Sequence, residues 1–197
     1  MIKAVIFDMD GTLIDTEKYY RIAWKYALES FGYHPTEYEQ VRKVRQGRFN
    51  ELVETQGIQL KPGAKEILTF LREKNIVTAI ATCTNIERAN QYLKQIGLYD
   101  LLDRVISASM VETGKPAPDI YLYACKELDL NPANCMAVED SPNGIHSAHD
   151  AGCNVVMVPD QSPADDEIRK ILYGYEDSLF DLKKYFEAAD LILNSKQ

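Results

Sequence analysis

The chain has 197 residues, of which 46% are hydrophobic, and its formal net charge is -8. This composition can fill the core of one α/β domain with a small insertion, and the negative charge argues against partners such as nucleic acids or membrane surfaces, which require a basic face. The apolar run before Asp8 is shorter than a signal-peptide core and no stretch reaches membrane-spanning length, so we expect a cytoplasmic protein.

Short apolar runs alternate with amphipathic stretches along the chain, a pattern typical of a parallel β-sheet covered by helices. The predicted strands are 4–7, 77–81, 104–108, 136–138 and 155–158. The predicted helices between them are 63–74, 86–96, 118–128 and 143–151. The sequence therefore predicts an α/β fold: a three-layer, Rossmann-like core with a parallel sheet.

One stretch interrupts this alternation. Residues 16–57 have a helical pattern throughout, without a strand between its parts, and "LKPGA" at 60–64 marks the return to the core. We therefore predict a core made of residues 1–15 and 60–197, and a small helical insertion at 16–59 that stands over the carboxyl ends of the strands.

Two carboxylates, Asp8 and Asp10, follow directly after the first predicted strand. In open α/β folds, the crevice beyond the carboxyl ends of the strands is where ligands bind. Other polar side chains follow or lie close beyond later strands: Thr82, Lys115, Glu139 and Asp140. We therefore expect segments from across the sequence to converge at one edge of the sheet.

The four acidic side chains of this group would repel one another in a partly desolvated site unless a cation is present. Oxygen ligands without a nearby histidine or cysteine favour Mg²⁺ over Zn²⁺. The sequence therefore predicts a Mg²⁺ site. The four cysteines are widely spaced and lie in apolar or small-residue contexts, so we expect reduced core thiols rather than disulfides.

Four motifs occur in a fixed order: "DMDGTLIDT" (8–16), "ATCT" (81–84), "GKPAPDIY" (114–121) and "VEDSPNGIHSAHDAG" (138–152). Together they cover nearly the whole chain. In this respect the chain resembles the haloacid dehalogenase superfamily, and more narrowly its branch of small-molecule phosphatases that includes β-phosphoglucomutase.

The resemblance implies phosphoryl transfer through an aspartyl-phosphate. Asp8 would be the nucleophile and Asp10 the general acid and then base. Thr82 would hydrogen-bond the transferring phosphoryl group, and Lys115 would neutralise charge on that group and on Asp8. These roles agree with the chemistry, since phosphoryl transfer needs alignment and neutralised oxygens more than covalent assistance.

The resemblance also implies how the metal is held. Mg²⁺ would bind the Asp8 carboxylate, the Asp10 backbone carbonyl and Asp140, with Glu139 close by. Phosphate-binding positions are predicted at Met9, Gly11 and Cys83, the first two through their loop amides.

A cationic run, "VRKVRQGR" at 41–48, permits two interpretations. It can be a solvated helix face balanced by neighbouring glutamates. Alternatively, Gly47 opens a loop over the active site and Arg48 meets an anionic part of the substrate, because this is the neighbourhood of the family's specificity loop.

Two departures from the family bear on the reaction. The insertion is shorter than the usual cap, and Tyr20 stands where β-phosphoglucomutase-like sequences have a histidine. We therefore expect a phosphatase acting on a small phosphorylated metabolite. The alternatives are a hexose phosphate mutase and a non-catalytic binding or regulatory protein.

Overall fold

The computed structural model describes residues 2–32 and 38–194. In these residues a parallel sheet of six strands has the order β3-β2-β1-β4-β5-β6. The strands are β1 (Ala4–Phe7), β2 (Val77–Thr82), β3 (Arg104–Ser107), β4 (Cys135–Glu139), β5 (Asn154–Met157) and β6 (Gly174–Tyr175). The predicted fold class is confirmed.

Eight α-helices connect and follow the strands within the described residues. They are α1 (Glu17–Ser30), α2 (Tyr38–Gln56), α3 (Ala64–Glu73), α4 (Ile86–Gln95), α5 (Asp119–Glu127), α6 (Pro142–Asp150), α7 (Asp166–Ile171) and α8 (Leu179–Asn194). No helix among the described residues combines the length and the apolar character that crossing a membrane requires.

The central strand β1 is completely buried and lies between β2 and β4. Its side chains alternate between two faces. Ala4 and Ile6 belong to a core cluster that includes residues of α5, α6 and α7, whereas Val5 and Phe7 are buried on the other face. Phe7 is in register with Ile80 of β2 and with Val138 of β4, so the three strands end close together.

The five predicted strands and four predicted helices agree with the structure to within one or two residues at each end. The edge strand β6 and the helices α7 and α8 were not predicted. The two residues of β6 are too few to show the alternation by which a strand is recognised in a sequence.

The chain divides into two compact units: the residues up to Ile14 together with those from Leu60 onward, and Asp15–Gln59. Among its described residues, the second unit contains α1 and α2 and has its own apolar cluster. Tyr20 of α1 stacks on Phe49 of α2, with ring centroids 4.1 Å apart.

The expectation that Gly47 opens a loop is wrong, because Gly47 lies inside α2. Its neighbours, Gln46 and Arg48, favour helices, and a single glycine in a helix costs only about 1 kcal/mol relative to alanine. The helix therefore continues through it.

The chain leaves the first unit after Ile14 and returns to it at Leu60, and these two residues are neighbours in space. Ile14 forms an antiparallel bridge with Leu60, and the N–H of Lys61 donates to the carbonyl of Leu13 at 2.9 Å. The chain therefore leaves the core and returns to it through a paired connection.

Candidate active site

The loop after β1 is a tight turn that directs Asp8 and Asp10 beyond the end of the strand. Asp8 continues the pairing with β4 through its N–H, which donates to Val138 at 2.9 Å. Gly11 has a φ of 88°, a left-handed conformation that glycine adopts without strain. The carbonyl of Met9 accepts from the N–H groups of the two residues that follow Thr12, both at 3.0 Å.

One residue of the predicted phosphate-binding set has its backbone amide engaged inside this turn. The N–H of Gly11 donates to the carbonyl of Ile14 at 2.8 Å and is therefore committed within the turn. The side chain of Met9 is completely buried in the core, and the contact of its backbone amide with phosphate stays a prediction. The motif alone does not reveal this contact of the Gly11 amide.

Lys115 brings three predicted site segments together. Its ammonium nitrogen, Nζ, donates to Asp8 Oδ1 at 2.6 Å, to Glu139 Oε1 at 2.6 Å and to the carbonyl of Ala81 at 2.8 Å. Only 5% of the Lys115 side chain is exposed. The cation is therefore fixed between the ends of β1, β2 and β4.

Glu139 is the most enclosed carboxylate of the site, with 0% of its side chain exposed. Its Oε1 also accepts from the hydroxyl of Tyr121 at 2.6 Å, and its Oε2 accepts from Ser141 Oγ at 3.5 Å. A Cβ added at Gly144 would overlap this carboxylate. The glycine of α6 thus makes room for the acid.

Burial and charge shift the protonation of this cluster. Burial raises the pKa of Asp8 well above its ordinary value, Lys115 opposes this shift, and the carboxylates of Glu139 and Asp140 add to it. Burial alone would lower the pKa of Lys115, but the carboxylates of Asp8 and Glu139 outweigh it and raise the pKa. Burial is the largest cause that raises the pKa of Tyr121, and the negative charge of Glu139 is the second. Lys115 therefore stays charged and Tyr121 stays neutral at physiological pH.

The acids of the site could hold a metal ion. One carboxylate oxygen from each of Asp8, Glu139 and Asp140 can be chosen so that all three lie within 4.8 Å of one another. Because clustered carboxylates repel one another in a partly buried site, a divalent cation fits both the charge and the oxygen donors of this cluster.

Asp10 is held by two hydroxyl groups from the segment after β2. Its Oδ2 accepts from Thr84 Oγ1 at 2.8 Å and from Thr82 Oγ1 at 3.3 Å. The N–H of Thr84 donates in turn to Thr82 Oγ1 at 3.0 Å. Thr84 was not predicted as a site residue, although it lies in the "ATCT" motif; no spacing rule distinguishes its hydroxyl from that of a turn residue.

The remaining predicted residues have mixed outcomes. Cys83 is exposed, so the prediction that all four cysteines are core thiols is wrong for this one. It lies in the turn after β2, where the chain leaves the core. Cys125, Cys135 and Cys153 are buried, and all four cysteines are free.

Arg48 belongs to the second unit, where its guanidinium pairs with Glu51 at 2.7 Å and lies 5.4 Å from the ring centroid of Tyr26. These contacts agree with the balanced helix face. The role of Arg48 toward a substrate stays a prediction.

The site lies within a segment of the chain that matches a known family of hydrolases. The model of the haloacid dehalogenase-like hydrolases matches residues 2–152. The chain belongs to this family, which confirms the resemblance read from the motifs.

Named relatives belong to the predicted branch. A phosphorylated carbohydrates phosphatase of Thermotoga maritima is 30% identical, and the match covers 98% of this chain and 94% of that protein. The β-phosphoglucomutase of Bacillus subtilis is 30% identical, with 82% of this chain and 85% of that protein covered.

A solved structure of CbbY from Rhodobacter sphaeroides in complex with phosphate is also similar. It superposes with a TM-score of 0.74 at 25% identity and covers 92% of this chain and 96% of its own. The similarity therefore extends over both units of the chain.

Proposed function

We propose that this protein is a Mg²⁺-dependent phosphatase that hydrolyses a small phosphorylated metabolite, such as a sugar phosphate, through an aspartyl-phosphate intermediate. The observation that carries the proposal is the position of Lys115, whose ammonium lies 2.6 Å from Asp8 and from Glu139. A buried cation at this point neutralises a carboxylate nucleophile and the phosphoryl oxygens that approach it.

The first half of the reaction forms the phosphoenzyme. Asp8 attacks phosphorus with one carboxylate oxygen, and the bond from phosphorus to the ester oxygen breaks. Asp10 gives its proton to the leaving alkoxide, so that an alcohol departs and Asp10 is left ionised. The hydroxyl groups of Thr82 and Thr84, both bound to Asp10 Oδ2, orient this acid and stabilise the anion that results.

The second half releases phosphate. Ionised Asp10 takes a proton from water, and the hydroxide oxygen that results attacks phosphorus. The bond between phosphorus and the carboxylate oxygen of Asp8 then breaks. Inorganic phosphate leaves, and both carboxylates return to their initial states. A carboxylate nucleophile divides hydrolysis into two easier steps, because the acyl phosphate is labile toward water.

A bound Mg²⁺ would neutralise charge on the phosphoryl oxygens. The residues that would hold it are Asp8, Asp140 and Glu139, whose carboxylates form the acidic cluster, together with the backbone carbonyl of Asp10. Burial raises the pKa of Asp8, and a cation beside it would favour the ionised nucleophile.

A phosphomutase is the second candidate, favoured by the similarity to the β-phosphoglucomutase of Bacillus subtilis. A mutase must protect its phosphoenzyme from water while a bound intermediate reorients. We propose that residues 16–59, which include α1 and α2, form a truncated cap, and that a truncated cap favours hydrolysis over isomerisation. Tyr20, packed on Phe49, offers a phenol where a histidine would offer an imidazole, the side chain suited to proton transfer near neutral pH.

The proposal is tested by measuring phosphate release from sugar phosphates, nucleotides and phosphoglycolate, with and without Mg²⁺. We expect Mg²⁺-dependent release from several of them and little conversion of β-glucose 1-phosphate to glucose 6-phosphate. Isomerisation that outruns phosphate release when a sugar bisphosphate is added would favour the mutase. Absence of both reactions would favour a binding protein.

The two aspartates give a sharper test. Asp8→Asn should abolish turnover, whereas Asp10→Asn should still become phosphorylated by a substrate with a good leaving group, such as p-nitrophenyl phosphate. Mass spectrometry of the intact chain would detect the added phosphoryl group. A fully active Asp8→Asn protein would contradict the proposed nucleophile.

A further inference from the structure

Tyr121 contributes a hydroxyl group to the site from the core side of the sheet. It lies on α5, its side chain is completely buried, and its hydroxyl donates to Glu139 Oε1 at 2.6 Å. The same oxygen accepts from Lys115 Nζ at 2.6 Å. One carboxylate oxygen therefore has one charged and one neutral donor.

We propose that Tyr121 is a positioning residue for Lys115: its hydroxyl shares Glu139 Oε1 and so leaves the ammonium evenly placed between Glu139 and the nucleophile Asp8. The inference rests on the proposed phosphatase function. Tyr121 touches no reacting atom and acts through Glu139.

The number of donors on Lys115 supports this role. An ammonium group has three N–H donors, and those of Lys115 are directed to Asp8, Glu139 and the carbonyl of Ala81. No further donor is left to satisfy Glu139 more fully. The completely enclosed carboxylate needs a second donor on Oε1, because an under-solvated buried anion is costly, and Tyr121 supplies it.

Without the hydroxyl, Glu139 would depend more strongly on Lys115. The ammonium would then shift toward Glu139 and away from Asp8, because the attraction between unlike charges increases as they approach in a medium of low dielectric constant. The nucleophile would lose part of its neutralising partner.

Tyr121→Phe separates this role from simple packing. Phenylalanine keeps the ring in the core cluster and keeps an aromatic ring near Lys115 Nζ, which lies 5.3 Å from the ring centroid. The substitution removes only the hydroxyl. Tyr123→Phe is a matched control, because Tyr123 lies on the same helix and is only partly buried.

The experiment measures steady-state hydrolysis of p-nitrophenyl phosphate at saturating Mg²⁺, with a melting curve for each protein. We expect Tyr121→Phe to lower kcat about tenfold while KM changes less than about twofold, and Tyr123→Phe to match the parent. Unchanged kcat in Tyr121→Phe would overturn the proposal. So would loss of a cooperative melting curve, because the hydroxyl would then support the fold rather than the site.

A double substitution tests the route through Glu139. In a Glu139→Gln background, adding Tyr121→Phe should lower kcat by less than about twofold, because the partner of the hydroxyl is already altered. A full tenfold loss in that background would show that Tyr121 acts elsewhere. An inactive parent protein would instead refute the proposed phosphatase function. This outcome differs from failure of the Tyr121 proposal, because it is seen in the parent without any substitution.

Discussion

At the residue scale, Thr84 has the shorter of the two hydroxyl contacts with Asp10, at 2.8 Å. Thr84→Val keeps the shape of the side chain and removes the donor. Because hydrogen bonds to charged groups contribute about 1.5–3 kcal/mol, we expect kcat for phosphate release to fall by at least about tenfold. Thr84→Ser, which keeps the hydroxyl, should stay within about threefold of the parent. Equal activity of the valine and serine variants would show that Asp10 does not need this donor.

Cys83 allows a prediction about pH. Partial burial raises the pKa of the Cys83 thiol, Lys115 opposes this, and the carboxylates of Asp8 and Glu139 add to it. Since the thiolate is the nucleophile, alkylation should still accelerate above the ordinary thiol pKa of about 8.5. Rates of iodoacetamide labelling measured by mass spectrometry across this range would show the rise.

The other three cysteines supply the control for this experiment. They are buried. A hydrogen bond with Cys135 lowers the pKa of Cys125, but a hydrogen bond with Cys153 and burial outweigh it and raise this pKa to about 12. Native protein should therefore take up one label, and Cys83→Ser should take up none. Labelling of more than one thiol before denaturation would contradict the described core.

The candidate site could be predicted from the sequence where each residue belongs to a motif. Asp8, Asp10, Lys115 and Asp140 were identified in this way, and the structure brings their segments together at the ends of β1, β2 and β4. The contacts of Tyr121 and Gly144 with Glu139 could not be predicted, because they join side chains from separate elements. Such pairs become visible only when the register of the sheet and the packing of its helices are known.

At the scale of elements, α6 depends on a glycine for its approach to β4. Gly144→Ala would place a Cβ on the carboxylate of Glu139, which Lys115 and Tyr121 hold in place. Although alanine favours helices, overpacking of a buried site costs about 1–3 kcal/mol. We expect a lower melting temperature together with at least a tenfold loss of kcat, measured by calorimetry and by phosphate release.

Replacing Gly47 by alanine should have the opposite effect on stability to Gly144→Ala. Gly47 lies inside α2, and a Cβ added there would meet no atom within 4 Å. Gly47→Ala should therefore stabilise the protein by about 0.5–1 kcal/mol. If both alanine variants changed stability by the same amount, the close approach of α6 to Glu139 would not be the cause of the first effect.

Some strands of the sheet could be predicted from the sequence and one could not. The strands with buried runs, such as β1 and β4, were found because their apolar residues contrast with polar neighbours. The edge strand β6 has two residues, both only partly buried. Its pairing with β5 is a property of the assembled sheet rather than of its own side chains.

At the scale of the whole molecule, the acidic cluster links metal binding to stability. A ligand that binds only the folded chain stabilises it by about 2.7 kcal/mol at a hundredfold excess over Kd. We expect Mg²⁺ to raise the melting temperature of the parent. Asp140→Ala should lose most of this shift and most of the activity, and chelation by EDTA should have the same effect on the parent.

Asp150→Ala is a suitable control for that experiment, because it removes the same charge from the exposed end of α6. Its response to Mg²⁺ should equal that of the parent. An Asp140→Ala protein that binds Mg²⁺ as tightly as the parent would show that the metal assignment is wrong.

The paired connection between the units has a consequence for the sheet. Ile14 and Leu60 form an antiparallel bridge. Residues 15–59 are therefore attached to the core as a single loop with paired ends, whatever the number of residues in it. Doubling the length of a flexible loop costs only about 0.6 kcal/mol of closure entropy. Insertions, deletions or exchanges within residues 15–59 should therefore carry little penalty for the stability of the sheet.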